Sequence, residues 1–182
     1  MLSAIGLIEL TSIAKGYEVA DTMLKAAHVE IITNRSICPG KFMVLVGGDV
    51  DAVHAAVEAG LEIGGSTVVD DLIIPNIHPA VFPAISGTTL VEHPDALGII
   101  ETFSVATIIE AADAAVKAAD VRLINIHLAM AIGGKGYLTL TGDVAAVTAA
   151  VEAGVAYIRE KGMLVQKVVI PHPRKEIVQD KI

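Results

Sequence analysis

One cysteine, no tryptophan, three tyrosines and three phenylalanines are all that 182 residues hold of thiols and large aromatics. A single thiol, Cys38, cannot close a disulfide within its own chain and cannot fill a metal site alone. Hydrophobic residues nevertheless make up 53% of the chain and aromatics only 3%. Small aliphatic side chains, chiefly Ala and Val, must therefore fill the interior and much of a protein interface, which predicts an obligate oligomer. Basic residues are also scarce: 13 Lys and Arg face 21 Asp and Glu, for a net charge of −8. Phosphate backbones need a clustered basic surface, so nucleic acid is not an expected partner.

Long apolar runs are missing too. Mean hydropathy is +0.64, yet Gly, Asp, Glu or Lys break every run well short of the roughly 18 residues of a spanning helix, so no membrane partner is expected. MLSAIGLIEL at the N-terminus has no basic region and no cleavage site, which predicts a cytoplasmic protein whose Cys38 stays reduced or metal-bound. No GxSxG, CxxC or HExxH occurs, and enzymatic chemistry is not visible. GGKG at 133–136 lacks the first glycine of a phosphate loop and the Ser or Thr after Lys135, and reads as a flexible loop. His28, His54, His78, His93 and His172 read as structural, whereas His127 opens the loop that ends in GGKG.

What the chain does contain is itself, twice. AIGLIELTSIAKGYEVADTMLKAAHV (4–29) matches ALGIIETFSVATIIEAADAAVKAADV (96–121) at an offset of 92, and GGDVDAVHAAVEAG (47–60) matches TGDVAAVTAAVEAG (141–154) at an offset of 94. The two extra residues fall where RSICPGK (35–41) faces HLAMAIGGK (127–135). Two domains follow, 1–90 and 91–182, joined through the Gly, Pro and Asp rich stretch SGTTLVEHPDA (86–96).

Each repeat reads as strand, helix, strand, strand, helix, strand. AIGLIEL (4–10) is apolar at nearly every position, as in a strand buried on both faces. Ser12 and Ser104 can N-cap helices whose expected inward faces are Ile13, Tyr17, Ala20, Leu24, Ala27 and Val105, Ile109, Ala112, Val116, Ala119. Asp21 with Lys25, and Asp113 with Lys117, sit one turn apart, acid first. HVEIITN (28–34) and KFMVLVGG (41–48) make a hairpin turned by six residues around Pro39-Gly40. Asp49 and Asp143 N-cap second helices with faces Val50, Val53, Val57 and Val144, Val147, Val151, expected to end at Gly60 and Gly154. TVVDDLIIP (67–75) and MLVQKVVIP (163–171) close the repeats. The fold class is α+β, two ferredoxin-like sandwiches in tandem. Glu9 and Glu101 occupy equivalent strand positions in a duplicated chain and read as structural rather than as a catalytic pair.

IGLIEL, a helix ending ADTMLKAA, VEIIT and GDVDAVHAAVEAG resemble the bacterial microcompartment (BMC) shell domain. Two in tandem resemble the trimeric tandem-domain shell proteins of that family. The resemblance implies a homotrimer that mimics a hexamer and tiles with neighbouring hexameric and trimeric shell proteins into the shell of an organelle. It also places the loops between second and third strands around a central pore. Ser36, Ile37, Ala131, Ile132, Gly133 and Gly134 are then pore-lining, and Lys25, Lys117 and Arg174 lie at the tile edge. A solvated helix position is the plainer reading of both lysines.

Closer still, ICPGKF, NIHPAVFPAISG and IPHPRKEI resemble a tandem member of the family, from propanediol-utilisation microcompartments, that carries a 4Fe-4S cluster in its pore. That resemblance implies one cluster per trimer, with one Cys38 ligand from each of three copies. Pro39, Gly40 and Lys41 would surround it, with Lys41 and Arg35 offsetting its charge. Electrons would then cross the shell, serving a redox enzyme in the lumen. Three alternatives stand beside this: a lone cysteine buried as a small hydrophobe, a shell trimer with a metal-free pore for metabolites, and a regulatory protein binding a nucleotide between subunits.

Overall fold

The computed structural model describes residues 3–89, 91 and 94–178. His93 lies outside them, as do other residues of the 86–96 stretch. The first repeat runs β1 (Ala4–Leu10), α1 (Ile13–Ala26), β2 (Glu30–Ile37), β3 (Lys41–Gly48), α2 (Val50–Gly64) and β4 (Val68–Pro75). A short helix that the sequence reading lacks, α3 (Val81–Ile85), follows. The second repeat runs β5 (Ala96–Thr102), α4 (Val105–Ala118), β6 (Arg122–Leu128), β7 (Gly136–Gly142), α5 (Val144–Ile158) and β8 (Leu164–Pro171), before α6 (Lys175–Val178).

Each repeat folds into a four-stranded antiparallel sheet, ordered β2-β3-β1-β4 and β6-β7-β5-β8. That order is the ferredoxin-like arrangement expected of β-α-β-β-α-β. By contacts the chain divides into two compact units. The first is built on the chain up to Ile77 together with Ser104–Ala106 and Ala129–Gly134; the second holds His78–Phe103, Thr107–Leu128 and the chain from Lys135 onward.

Within the first unit the apolar side of α1 and α2 covers the sheet, and Ile8, Leu10, Val19, Met23, Phe42, Val44, Val53 and Val57 form one core. Gly16 lets α1 come down on Phe42: a Cβ there would lie 2.2 Å from the ring. At the equivalent positions the bulk is exchanged, Ile108 for Gly16 and Gly136 for Phe42. Large and small have thus traded places between the two equivalent sequence positions.

Two expectations are corrected. Gly60 and Gly154 do not end their helices, which continue to Gly64 and Ile158. They are close-approach positions: a Cβ on Gly60 would lie 2.5 Å from Ile8 Cδ1 and 2.9 Å from Met23 Cγ, and one on Gly154 2.8 Å from the Ala111 carbonyl oxygen. The second correction concerns α1, whose buried side is Gly16, Val19, Ala20 and Met23. Of the face expected to turn inward, Ile13, Tyr17 and Leu24 are 42%, 63% and 46% exposed. In α4 the equivalent Val105, Ile109 and Val116 are 0%, 0% and 9% exposed, and Ile108, Ala111, Ala112 and Ala115 are buried as well.

Candidate functional site

The β2–β3 connection is tighter than the sequence spacing suggested. β2 continues through Ile37, which pairs with Lys41 in register, so Cys38, Pro39 and Gly40 alone turn the chain. Gly40 adopts φ +90°, which suits glycine, and its N–H donates to the Ile37 carbonyl at 3.0 Å. Cys38 is a free, partly exposed thiol at the tip, followed by a cis peptide bond to Pro39.

The corresponding loop of the second repeat lies against it. The Cys38 N–H donates to the Ala129 carbonyl at 3.2 Å. Gly134, at φ +85°, packs so closely that a Cβ would lie 2.6 Å from the Cys38 carbonyl oxygen. Ala129 and Ala131 also take positive φ, of 59° and 62°. L-residues there are strained by about 1–2 kcal/mol each. This six-residue segment is thus held in an unfavourable conformation beside the cysteine turn, and Ser36, Ala131 and Gly133 are exposed around it.

The residues read as part of the site differ in exposure within the chain. Ile37 is buried in the core and Gly134 is buried beneath the turn. Ile132 is half-buried. Lys41, expected to lend its charge to Cys38, directs Nζ to Glu9 Oε1 at 2.7 Å. Among the described residues no three His, Cys, Asp or Glu side chains come together to hold a metal. His127, at the start of the second loop, stacks on Tyr137 with ring centroids 5.1 Å apart.

A residue read only as structural turns out to organise a junction. Glu9 is fully buried, and besides Lys41 its Oε2 accepts the N–H of Val105, the first residue of α4, at 2.9 Å. Ser104 caps that helix through the Ala106 N–H at 3.1 Å and also donates its hydroxyl to Asp70. Carboxylates suit a helix N-terminus because they meet its free N–H groups and its positive dipole end. The pairing spans 96 residues of sequence, beyond the reach of any local pattern.

The expected edge residues lie on α1 (Lys25), on α4 (Lys117) and after β8 (Arg174). Lys25 pairs with Asp21 and Lys117 with Asp113, each at 2.5 Å, and Lys25 and Arg174 are exposed. Among the described residues no helix is long and apolar enough to cross a membrane.

Each of two consecutive sandwiches contributes the loop between its second and third strands to this cluster. The sequence matches the BMC domain family over residues 4–77 and 96–173, and the chain belongs to that family. It is a structural protein of bacterial microcompartment shells, not an enzyme. It is 50% identical, over 97% of this chain and 96% of the other, to the bacterial microcompartment shell protein PduT of Citrobacter freundii. A solved microcompartment protein from Desulfitobacterium hafniense DCB superposes with a TM-score of 0.88 at 50% identity, covering 99% of this chain and all of that one. The carboxysome assembly protein CcmO of a Synechocystis strain is 32% identical over 93% of this chain and 61% of its own length.

Proposed function

We propose that three copies of this chain form a shell tile with the Cys38 turns around the threefold axis, where the three thiolates hold one 4Fe-4S cluster that passes electrons across the shell. The carrying observation is Cys38 itself: the chain's single thiol, partly exposed, at the tip of a three-residue turn braced on both sides. One thiolate fits no cluster within a chain, but threefold symmetry multiplies it to three convergent ligands. The resemblance of ICPGKF to the cluster-bearing tandem shell protein, with 50% identity to PduT overall, supports the same reading.

In this arrangement the chain's own part is positioning. Ile37 and Ala129 carbonyls fix the turn through the Gly40 and Cys38 N–H groups, and Gly134 packs beneath it. Lys41 holds the hairpin base through Glu9, and Arg35 lies exposed on β2, three residues before Cys38. The cluster would supply one-electron transfer, with a fourth iron left to a ligand from outside the three cysteines. A redox enzyme in the lumen is the partner this function calls for.

The test is anaerobic purification of wild type and Cys38→Ser together, with iron and sulfide assay and electron paramagnetic resonance. The expected result is about four irons per trimer with a signal absent from the variant. An iron-free wild-type trimer after reconstitution overturns the cluster and leaves a metal-free pore for metabolites.

A further inference from the structure

The cysteine turn has no N–H to spare. Cys38 donates its own to the Ala129 carbonyl, Gly40 donates to that of Ile37, and Pro39 between them has none. Hydrogen bonds to the sulfurs are among the features that set the potential of an iron-sulfur centre. The three residues of the turn supply no such donor.

The second loop does. Ala129–Gly134 packs in the same compact unit as Cys38, and φ is positive at Ala129, Ala131, Gly133 and Gly134 but at neither Met130 nor Ile132. Alternation of left- and right-handed residues turns successive N–H groups toward one side, forming a concavity that suits anions and iron-sulfur sites. Among the described residues the N–H groups of Ala131, Ile132, Gly133 and Gly134 meet no acceptor. Gly134 is also buried, and a buried N–H left unpaired is rare enough to call for a ligand or an ordered water. Lys135, the one cation that follows in the loop, is engaged with Glu101 at 2.5 Å. The positive character of this loop is therefore that of its backbone.

We infer that the second loop is the hydrogen-bonding cap of the cluster: its free N–H groups, with that of Ile132 as the central donor, bond to cluster sulfur and raise the potential. An added electron places more negative charge on sulfur, so such donors favour the reduced state. The two repeats then divide the work, the first supplying the ligand and the second the donors. The inference rests on the cluster reading, and it assigns a role to residues that carry no ligand atom.

The test compares wild type, Ile132→Ala and Ile132→Pro, purified anaerobically from cells fed isoleucine that carries heavy nitrogen. Proline accepts a negative φ and lacks the N–H, whereas alanine keeps it. Pulsed electron paramagnetic resonance of the reduced cluster is expected to show a heavy-nitrogen coupling in wild type that Ile132→Ala loses, because position 132 then lacks the label while Ile37 retains it. Iron per trimer should be the same in all three chains. Redox titration should give the wild-type potential for Ile132→Ala and a more negative one for Ile132→Pro. A full cluster whose heavy-nitrogen coupling is absent, or identical in wild type and Ile132→Ala, overturns the cap and leaves the cluster reading in place, even if Ile132→Pro fails to fold. A wild-type potential in cluster-loaded Ile132→Pro overturns the cap as well. An iron-free wild type overturns the cluster reading and this inference with it.

Discussion

Replacing Gly134 by alanine is the most direct probe of the loop cluster, because Gly133 next to it provides an internal control. Both have positive φ, +67° for Gly133 and +85° for Gly134, so alanine at either brings a backbone cost of about 1–2 kcal/mol. A Cβ on Gly133 meets nothing within 4 Å, whereas one on Gly134 would lie 2.6 Å from the Cys38 carbonyl oxygen and 2.9 Å from Pro39 Cδ. The nearest atom is backbone and cannot rotate aside, so overpacking adds about 1–3 kcal/mol at Gly134 alone. A difference of about 2 kcal/mol corresponds to about 4–8 °C in melting temperature for a chain of this length. Thermal unfolding of the two variants in the Cys38→Ser chain reads that gap without any metal. Iron assay in the Cys38-containing chain then asks whether displacing the turn removes the cluster: Gly133→Ala should retain iron and Gly134→Ala should lose most of it. Equal melting temperatures for the two variants would refute the packing of the second loop against the cysteine turn.

Three further outcomes follow from other parts of the molecule. Lys25→Ala combined with Lys117→Ala removes one exposed ion pair, stabilising by about 0–1 kcal/mol, and one whose carboxylate, Asp113, is buried but still accepts the His78 N–H, so the trimer should persist by gel filtration while sheets disappear by electron microscopy; unaltered sheets would end the assignment of these lysines to the tile edge. Gly154→Ala should cost about 1 kcal/mol more than Gly60→Ala in denaturant unfolding, because its Cβ meets the Ala111 carbonyl and the other meets the movable ends of Ile8 and Met23. Glu9→Gln leaves the largely buried Lys41 ammonium without its countercharge and should destabilise the chain by about 3 kcal/mol; a loss below 1 kcal/mol in the same assay would show that Glu9 does not hold this junction.

How much of this was legible in sequence depends on the range of the interaction. β1, the Ser12 and Asp143 caps and both Asp–Lys pairs rest on neighbours within a turn or on simple periodicity, and they stand where expected. The helix lengths were misjudged because glycine has two uses: Gly60 and Gly154 look like terminators, but their value lies in the missing Cβ that admits another element. α3 is five residues long with Pro83 inside it, too short to show a helical period. On α1 the apolar stripe was correctly seen but assigned to the wrong surroundings. A sequence shows that Ile13, Tyr17 and Leu24 share a face, not whether that face meets its own sheet or something outside the chain. Cys38 on its turn was readable from Pro39 and Gly40. The loop beneath it was not, since Ala129 and Ala131 carry no mark of the positive φ they adopt.

The unequal hairpin loops also bear on how such a protein can diverge. An assembly of identical single domains must change all of its loops at once, because one gene writes every position. Here one chain carries both loops, so each can change without the other. Cys38 appears at one loop of each pair and a strained alanine-rich segment at the other, with no opportunity for mis-sorting. Duplication within one gene thus gives selection two independently inherited loops, so one can carry a thiol while the other does not.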